Sequence, residues 1–213
     1  MASNVWYCIP SARPVPEAQR CVDAWRDMGY KVALWRDQPD SIQADFVHVS
    51  AEYPGYYNAA NALIARVFRV DPECNFAVTG GDDLWPDQGK TAQEIAGSFT
   101  GSFCVMQPTG DGHGIETICG SPWIGRAFAA KAYEGCGPFW HEYSHMFGDE
   151  ELQNVALKLG CFWQRPDLTH RHEHWSWSGK PMPEFLKEAN SPEHWAKYQA
   201  LYLRRKAAGF PGL

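Results

Sequence analysis

The sequence predicts an α/β fold whose central sheet is mostly parallel and flanked by helices. Three observations carry this: short apolar runs alternate with stretches of helical spacing, Pro and Gly punctuate the boundaries, and the central apolar run stops at two glycines and two carboxylates. Open α/β sheets place their ligands at such a carboxyl end of a strand. A length of 213 residues suits one substantial domain rather than two.

Residues 5–9 (VWYCI) read as a first buried strand, stopped by Pro10-Ser11-Ala12-Arg13-Pro14. Pro16 opens a helix to about residue 28, with Gly29 as its stop. Residues 31–35 (KVALW) read as the second strand and 45–49 (DFVHV) as the third. Helical spacing runs over 55–70 through Ala59, Ala60, Leu63, Ile64 and Val67, followed by a strand at 76–79. Beyond the acidic pair, 91–99 reads as helix, 102–107 (SFCVMQ) as strand and 109–114 (TGDGHG) as a glycine-rich turn, with helix-like spacing again at 126–133. Asp149 is placed to cap a helix that runs through Leu152, Val155, Ala156 and Leu159 to Gly160. A terminal helix spans about 192–208, so residues 1–178 form the main domain and 179–213 a C-terminal helical extension.

Hydrophobic residues make up 45% and charged residues 21%, the balance of a folded globular chain. A net charge of -6 gives no electrostatic footprint for nucleic acid. The run Arg204-Arg205-Lys206 is a local exception, and the macrodipole of a helix C-terminus accounts for it. The Cys count is 7, scattered and without a CxxC pair, and the N-terminus lacks the pattern of a signal peptide. The expectation is a cytoplasmic protein with reduced thiols and no membrane insertion, since no apolar run approaches the roughly 18 residues that a span requires. Ten Trp leave two readings, stacking platforms for sugars or a bulky core.

The acidic pair Asp82-Asp83 after Gly80-Gly81 carries the chemistry. Glycines permit a tight turn, and two carboxylates together with an incoming diphosphate can hold one hard cation such as Mn²⁺ or Mg²⁺. A second acidic cluster, Phe147-Gly148-Asp149-Glu150-Glu151, is either a dipole-matched helix start or a source of a general base. His170, His172 and His174 alternate, so an extended backbone would project them to one face. Trp175 beside them is a candidate platform for sugar. The run His141-Glu142-Tyr143-Ser144-His145 literally matches the HExxH string of zinc hydrolases, which requires both histidines on one helical face. A nucleotidyltransferase is a further alternative, although the 10–14 loop offers Arg13 as its one cation. A non-catalytic carbohydrate- or protein-binding module would explain the aromatics but not the acids and histidines.

In serial order these motifs resemble the GT-A class of nucleotide-sugar glycosyltransferases, family 2-like, over roughly residues 5–175. The residues that carry the resemblance are the opening Ile9-Pro10-Ser11-Ala12-Arg13, the helix around 58–65, the Gly81-Asp82-Asp83 element and the 147–151 acidic segment. The resemblance implies a single GT-A-like, Rossmann-like domain that transfers a sugar from a nucleoside-diphosphate sugar to a hydroxyl acceptor, with inversion as the expected stereochemistry. Pro10, Ser11, Arg13, Asp37 and Asp82 would hold the nucleotide, and Asp83 the metal, in the manner of a DxD motif. His172 or His174 would complete the metal shell. Asp149 or Glu150 would be the base, and Gly120 and Trp123, in the Gly120-Ser121-Pro122-Trp123 loop, would shape the acceptor side. This sequence has adjacent acids rather than Asp-x-Asp, so which carboxylate meets metal and which meets ribose stays open. The acceptor stays open too: glycan, small molecule, protein or a modified DNA base, the last not indicated by net charge.

Overall fold

The computed structural model describes residues 4–110, 118–179 and 181–212; the glycine-rich run expected at 109–114 lies outside them from position 111 onward. The chain starts with β1 (Asn4–Pro10), α1 (Val15–Asp27), β2 (Lys31–Arg36), β3 (Phe46–Val49), α2 (Tyr56–Val70) and β4 (Cys74–Thr79). Then come β5 (Leu84–Trp85), α3 (Ala92–Ala96), β6 (Val105–Pro108), β7 (Trp123–Gly125) and α4 (Arg126–Lys131). The last third holds α5 (Gly148–Lys158), β8 (Phe162–Arg165), β9 (Arg171–His172), α6 (Trp175–Ser178) and α7 (Pro192–Ala207).

A seven-stranded sheet has the order β3-β2-β1-β4-β7-β6-β8. The four strands from β3 to β4 are parallel, as the alternation of strands and helices predicts. β7 departs from that expectation, running antiparallel to both β4 and β6. Gly125 makes the close return possible, because a Cβ there would collide with the Ser102 carbonyl. That carbonyl already accepts from the Ala127 and Phe128 amides, so the strand expected at 102–107 begins only at Val105.

Alternation along β1 divides the core. Val5, Tyr7 and Ile9 face α1 and α3, while Trp6 and Cys8 face α2 and α5. α1 presents Ala18, Cys21, Val22 and Trp25 to the sheet, and the Trp25 ring stacks on Tyr7 at 3.7 Å between centroids. α2 buries Ala59, Ala60, Leu63, Ile64 and Val67 on the opposite face. The residues of α7 that point inward, Tyr198, Leu201 and Tyr202, join the same cluster as Leu152 and Val155 of α5. Among the described residues no helix is long and apolar enough to cross a membrane.

Strand order fixes where a ligand can sit. From β1 the chain winds outward through β2 and β3, then returns to place β4 on the other side of β1. The crevice between the carboxyl ends of β1 and β4 is therefore a topological switch point.

Candidate active site

Both segments that the sequence singles out open into this crevice. Ser11, just past β1, donates its hydroxyl to Asp82 Oδ2 at 2.6 Å, and Arg13 Nε donates to Asp82 Oδ1 at 2.6 Å. Arg13 reaches Asp83 Oδ2 more distantly, at 3.4 Å. Asp82 is thus the carboxylate committed to the first loop. Burial, with the charge of Asp83, pushes its proton affinity up, and Arg13 and Ser11 oppose that only in part. Gly81 is required by proximity: a Cβ there would collide with Asp83 Oδ1, and Tyr7 Oη donates to the Gly81 carbonyl at 2.6 Å.

Asp83 turns the other way, to His172, whose Nε2 lies 3.0 Å from Oδ1. Burial would raise the Asp83 carboxyl, but the hydrogen bond and charge of His172, aided by Arg13, hold it below the usual carboxylate range. A two-stranded ribbon makes this meeting possible. β5 pairs antiparallel with β9, Leu84 opposite His172 and Trp85 opposite Arg171, and the Glu173 amide donates to the Asp83 carbonyl at 2.8 Å. His174 follows with its ring 5.2 Å from that of His172 and its Nδ1 2.6 Å from Ser176 Oγ. Trp175 sits beside it, half-buried, its ring centroid 5.0 Å from the His174 ring.

The three alternating histidines do not share one face as expected. His170 is 3% exposed, packs edge-on against Trp25 and bonds Ser121 Oγ at 3.1 Å. Burial lowers its proton affinity to a pKa of about 4, so it is a neutral core residue. The cause is short pairing: β9 covers only Arg171–His172, so the extended geometry that would align all three is not maintained.

On the far side of the crevice, Asp149 lies in the first turn of α5. It does not cap the helix; Phe147 occupies the N-cap position, at φ 67°, without a side-chain cap hydrogen bond. Asp149 Oδ1 accepts from Tyr57 Oη at 2.9 Å and from the Glu150 amide at 3.0 Å. Burial raises its carboxyl above the ordinary range despite Tyr57. Glu150 leans towards Tyr202 and Lys206 of α7, and burial and the charge of Asp149 raise it as well. Tyr56 and Tyr57, adjacent at the start of α2, join the two halves of the site. Tyr56 Oη is 3.1 Å from Thr79 Oγ1 at the end of β4, while Tyr57 holds Asp149.

Other sequence-chosen residues fall differently. Pro10 ends β1 opposite Trp35, beside the site. Asp37 is exposed beyond β2 and makes none of the contacts that build the crevice. Its neighbour Arg36, which the sequence reading passed over, is 3% exposed and donates to the Ser11 carbonyl at 2.6 Å and the Arg13 carbonyl at 2.9 Å, anchored by Asp40 at 2.6 Å. Its signal was positional: a cation directly following the apolar run of a strand that ends beside β1. Gly120 is exposed with open space around it, as an acceptor-side position needs. Trp123 cannot serve there, because it is fully buried in β7 against Tyr30, Phe76 and Phe99. The HExxH string also fails its structural requirement. Residues 141–147 are turns and bends rather than helix, and Tyr143 inside the string is buried, donating to Glu151.

Among the described residues no three His, Cys, Asp or Glu side chains converge as a ready-made metal cage. The Asp83 and His172 pair, with His174 beside it, fits a cation whose remaining ligands come from a bound diphosphate. Oxygen and imidazole donors suit Mn²⁺, and Arg13 is drawn mainly to Asp82. A separate cavity of about 800 Å³ opens near Trp85, Lys90, Asp167 and Arg171, and its lining contains none of these groups.

Sheet order, switch point and the layers on both faces define a GT-A-like α/β fold of the Rossmann type. In particular, the chain is similar to a mutant of Drosophila β-1,4-galactosyltransferase 7 in complex with manganese, UDP-Gal and xylobiose, at TM-score 0.53 and 11% identity over 89% of this chain and 80% of that one. A glycosyltransferase involved in the glycosylation of the major capsid of PBCV-1 aligns at TM-score 0.39 and 8% identity over 58% of this chain and 60% of that one, too distant a match to weigh. No family model and no curated protein matches the chain.

Proposed function

We propose that the protein is a metal-dependent glycosyltransferase that moves a sugar from a nucleoside-diphosphate sugar to a hydroxyl acceptor with inversion. The observation that carries this is the divided acidic pair at the switch point: Asp82 is held by Ser11 and Arg13, Asp83 by His172. Such a division gives one carboxylate to the nucleoside and the other to a cation. The manganese, UDP-Gal and xylobiose of the structural neighbour are consistent with that chemistry. Asp83, His172 and His174 would hold the cation, which would supply charge neutralisation for the diphosphate.

The protein's own groups do the rest. Ser11, Arg13 and Asp82 orient the nucleoside part, with Arg36 fixing their loop from below. Asp149 takes the acceptor's hydroxyl proton as the acceptor oxygen bonds the anomeric carbon and the bond from that carbon to the diphosphate breaks. Burial raises the Asp149 carboxyl, which makes its carboxylate a stronger base for this task. Its orientation towards Tyr57 and the crevice favours it over Glu150, which leans towards α7.

The test is thermal unfolding with UDP, GDP, CDP and TDP, each with and without Mn²⁺. One diphosphate plus metal should stabilise the fold by about 2.7 kcal/mol at a hundredfold excess over its Kd, an effect absent from Asp83→Ala. No stabilisation by any nucleotide with metal, or an equal effect in the variant, would sink the reading.

A further inference from the structure

We infer that Arg205, in the last turn of α7, is a positioning residue for the acidic turn of α5, acting through Glu151. The inference rests on the proposed transferase reading, since it concerns how Asp149 is aimed.

The turn carries three consecutive acids, and each has a different destination. Asp149 goes to Tyr57, Glu150 leans towards Tyr202, and Glu151 goes inward, fully buried. There Tyr133 Oη donates to Glu151 Oε1 at 2.6 Å and Tyr143 Oη to Oε2 at 2.8 Å. Arg205 adds Nη2 to Oε1 at 2.7 Å and Nε to Oε2 at 2.9 Å, a bidentate grip. The guanidinium lies 3.7 Å from the centroid of the Trp140 ring, and Nη2 also donates to the Pro211 carbonyl at 3.2 Å.

Helix geometry turns that grip into an aiming device. Residues two apart on a helix point roughly 200° from one another, so locking Glu151 inward directs Asp149 outward to the crevice. The N-cap does not set this phase, since Phe147 offers no side-chain hydrogen bond. Nor does stability require the pair: well-packed apolar residues commonly replace a buried ion pair without loss. What an apolar contact lacks is the directionality of four convergent donors. The last turn of α7 thereby acts as part of the proposed catalytic unit.

The experiment compares wild type with Arg205→Met, Arg205→Lys and the double variant Glu151→Leu/Arg205→Met, which removes both charges and retains apolar packing should the single Met variant fail to fold. Three readouts are taken: unfolding temperature with UDP plus Mn²⁺, kcat and KM for UDP release from UDP-galactose, UDP-glucose and GDP-mannose (GDP release for the last), and hydrogen exchange of amides 148–152. Expected are an unchanged nucleotide effect and donor KM, a drop of at least tenfold in kcat, faster exchange over 148–152, and only partial recovery of turnover by Arg205→Lys, which keeps the charge but loses the bidentate grip. A folded Met or double variant with wild-type kcat, or with unaltered exchange at 148–152, overturns the inference. Failure of the transferase reading shows separately, as a wild type that neither responds to nucleotide nor releases it; exchange then decides alone whether Arg205 orders the turn.

Discussion

Tyr57 and Asp149, 92 positions apart, form the contact on which the proposed proton transfer rests. Replacing Asp149 with Asn preserves shape and removes the base, so transfer should fall about 10²–10⁴-fold while UDP with Mn²⁺ stabilises the variant as it does the wild type. Kinetics beside thermal unfolding checks this, and a variant with full turnover would shift the role to Glu150. Tyr57 was hidden in the sequence because an aromatic at the start of a helix reads as core. The place of Asp82 and Asp83 at the carboxyl end of a strand was legible, since they follow an apolar run and two glycines. Their division between Arg13 and His172 was not, because it depends on a ribbon formed by segments far apart in the chain.

α3 shows how an element's ends can matter more than its length. It spans only Ala92–Ala96, yet Thr91 and Glu94 form a reciprocal capping box, Thr91 Oγ1 accepting from the Glu94 amide at 3.3 Å and Glu94 Oε2 accepting from the Thr91 amide at 2.8 Å. The Ala92 amide also donates to the Met28 carbonyl at 2.8 Å, tying this start to the end of α1. Thr91→Ala should cost about 1 kcal/mol, read as a lower urea midpoint at unchanged slope. The elements from β1 to β4 were legible one by one, because apolar runs alternate there with stretches of helical spacing. β5, β8 and β9 were not: β5 and β9 have two residues each, and Phe162–Arg165 of β8 has a half-exposed, mixed pattern. Such strands exist through their pairing partners, which local sequence does not reveal.

Asp71 acts on the molecule as a whole by fastening β1, β2 and the end of α2 together. Its carboxylate accepts from Trp6 Nε1 at 2.9 Å, Asn4 Nδ2 at 3.0 Å and Lys31 Nζ at 2.9 Å. Burial alone would raise its pKa, but these donors outweigh it and bring the group from 3.8 to about 2. A folded-state value below the unfolded one means stability present above pH 3.8 and lost as the pH falls towards about 2. The contribution is on the order of 2 kcal/mol. Asp71→Asn should therefore lower stability at pH 7 and flatten its acid dependence between about pH 4 and 2, measured by urea unfolding across that range. A variant with the wild-type acid slope would assign that loss to other carboxylates.

The β5–β9 ribbon joins Asp83 to His172 across 89 positions, and it bears on synthesis. A chain emerging from the ribosome presents its acidic pair long before the imidazoles that meet it. The proposed cation site therefore takes shape only after the chain has been made past His172. A fragment stalled before position 171 would carry the loop of Ser11 and Arg13 and both aspartates, yet lack the partner that turns Asp83 away from them. A cation bound at the proposed site would thus act late, favouring the pairing of β9 with β5.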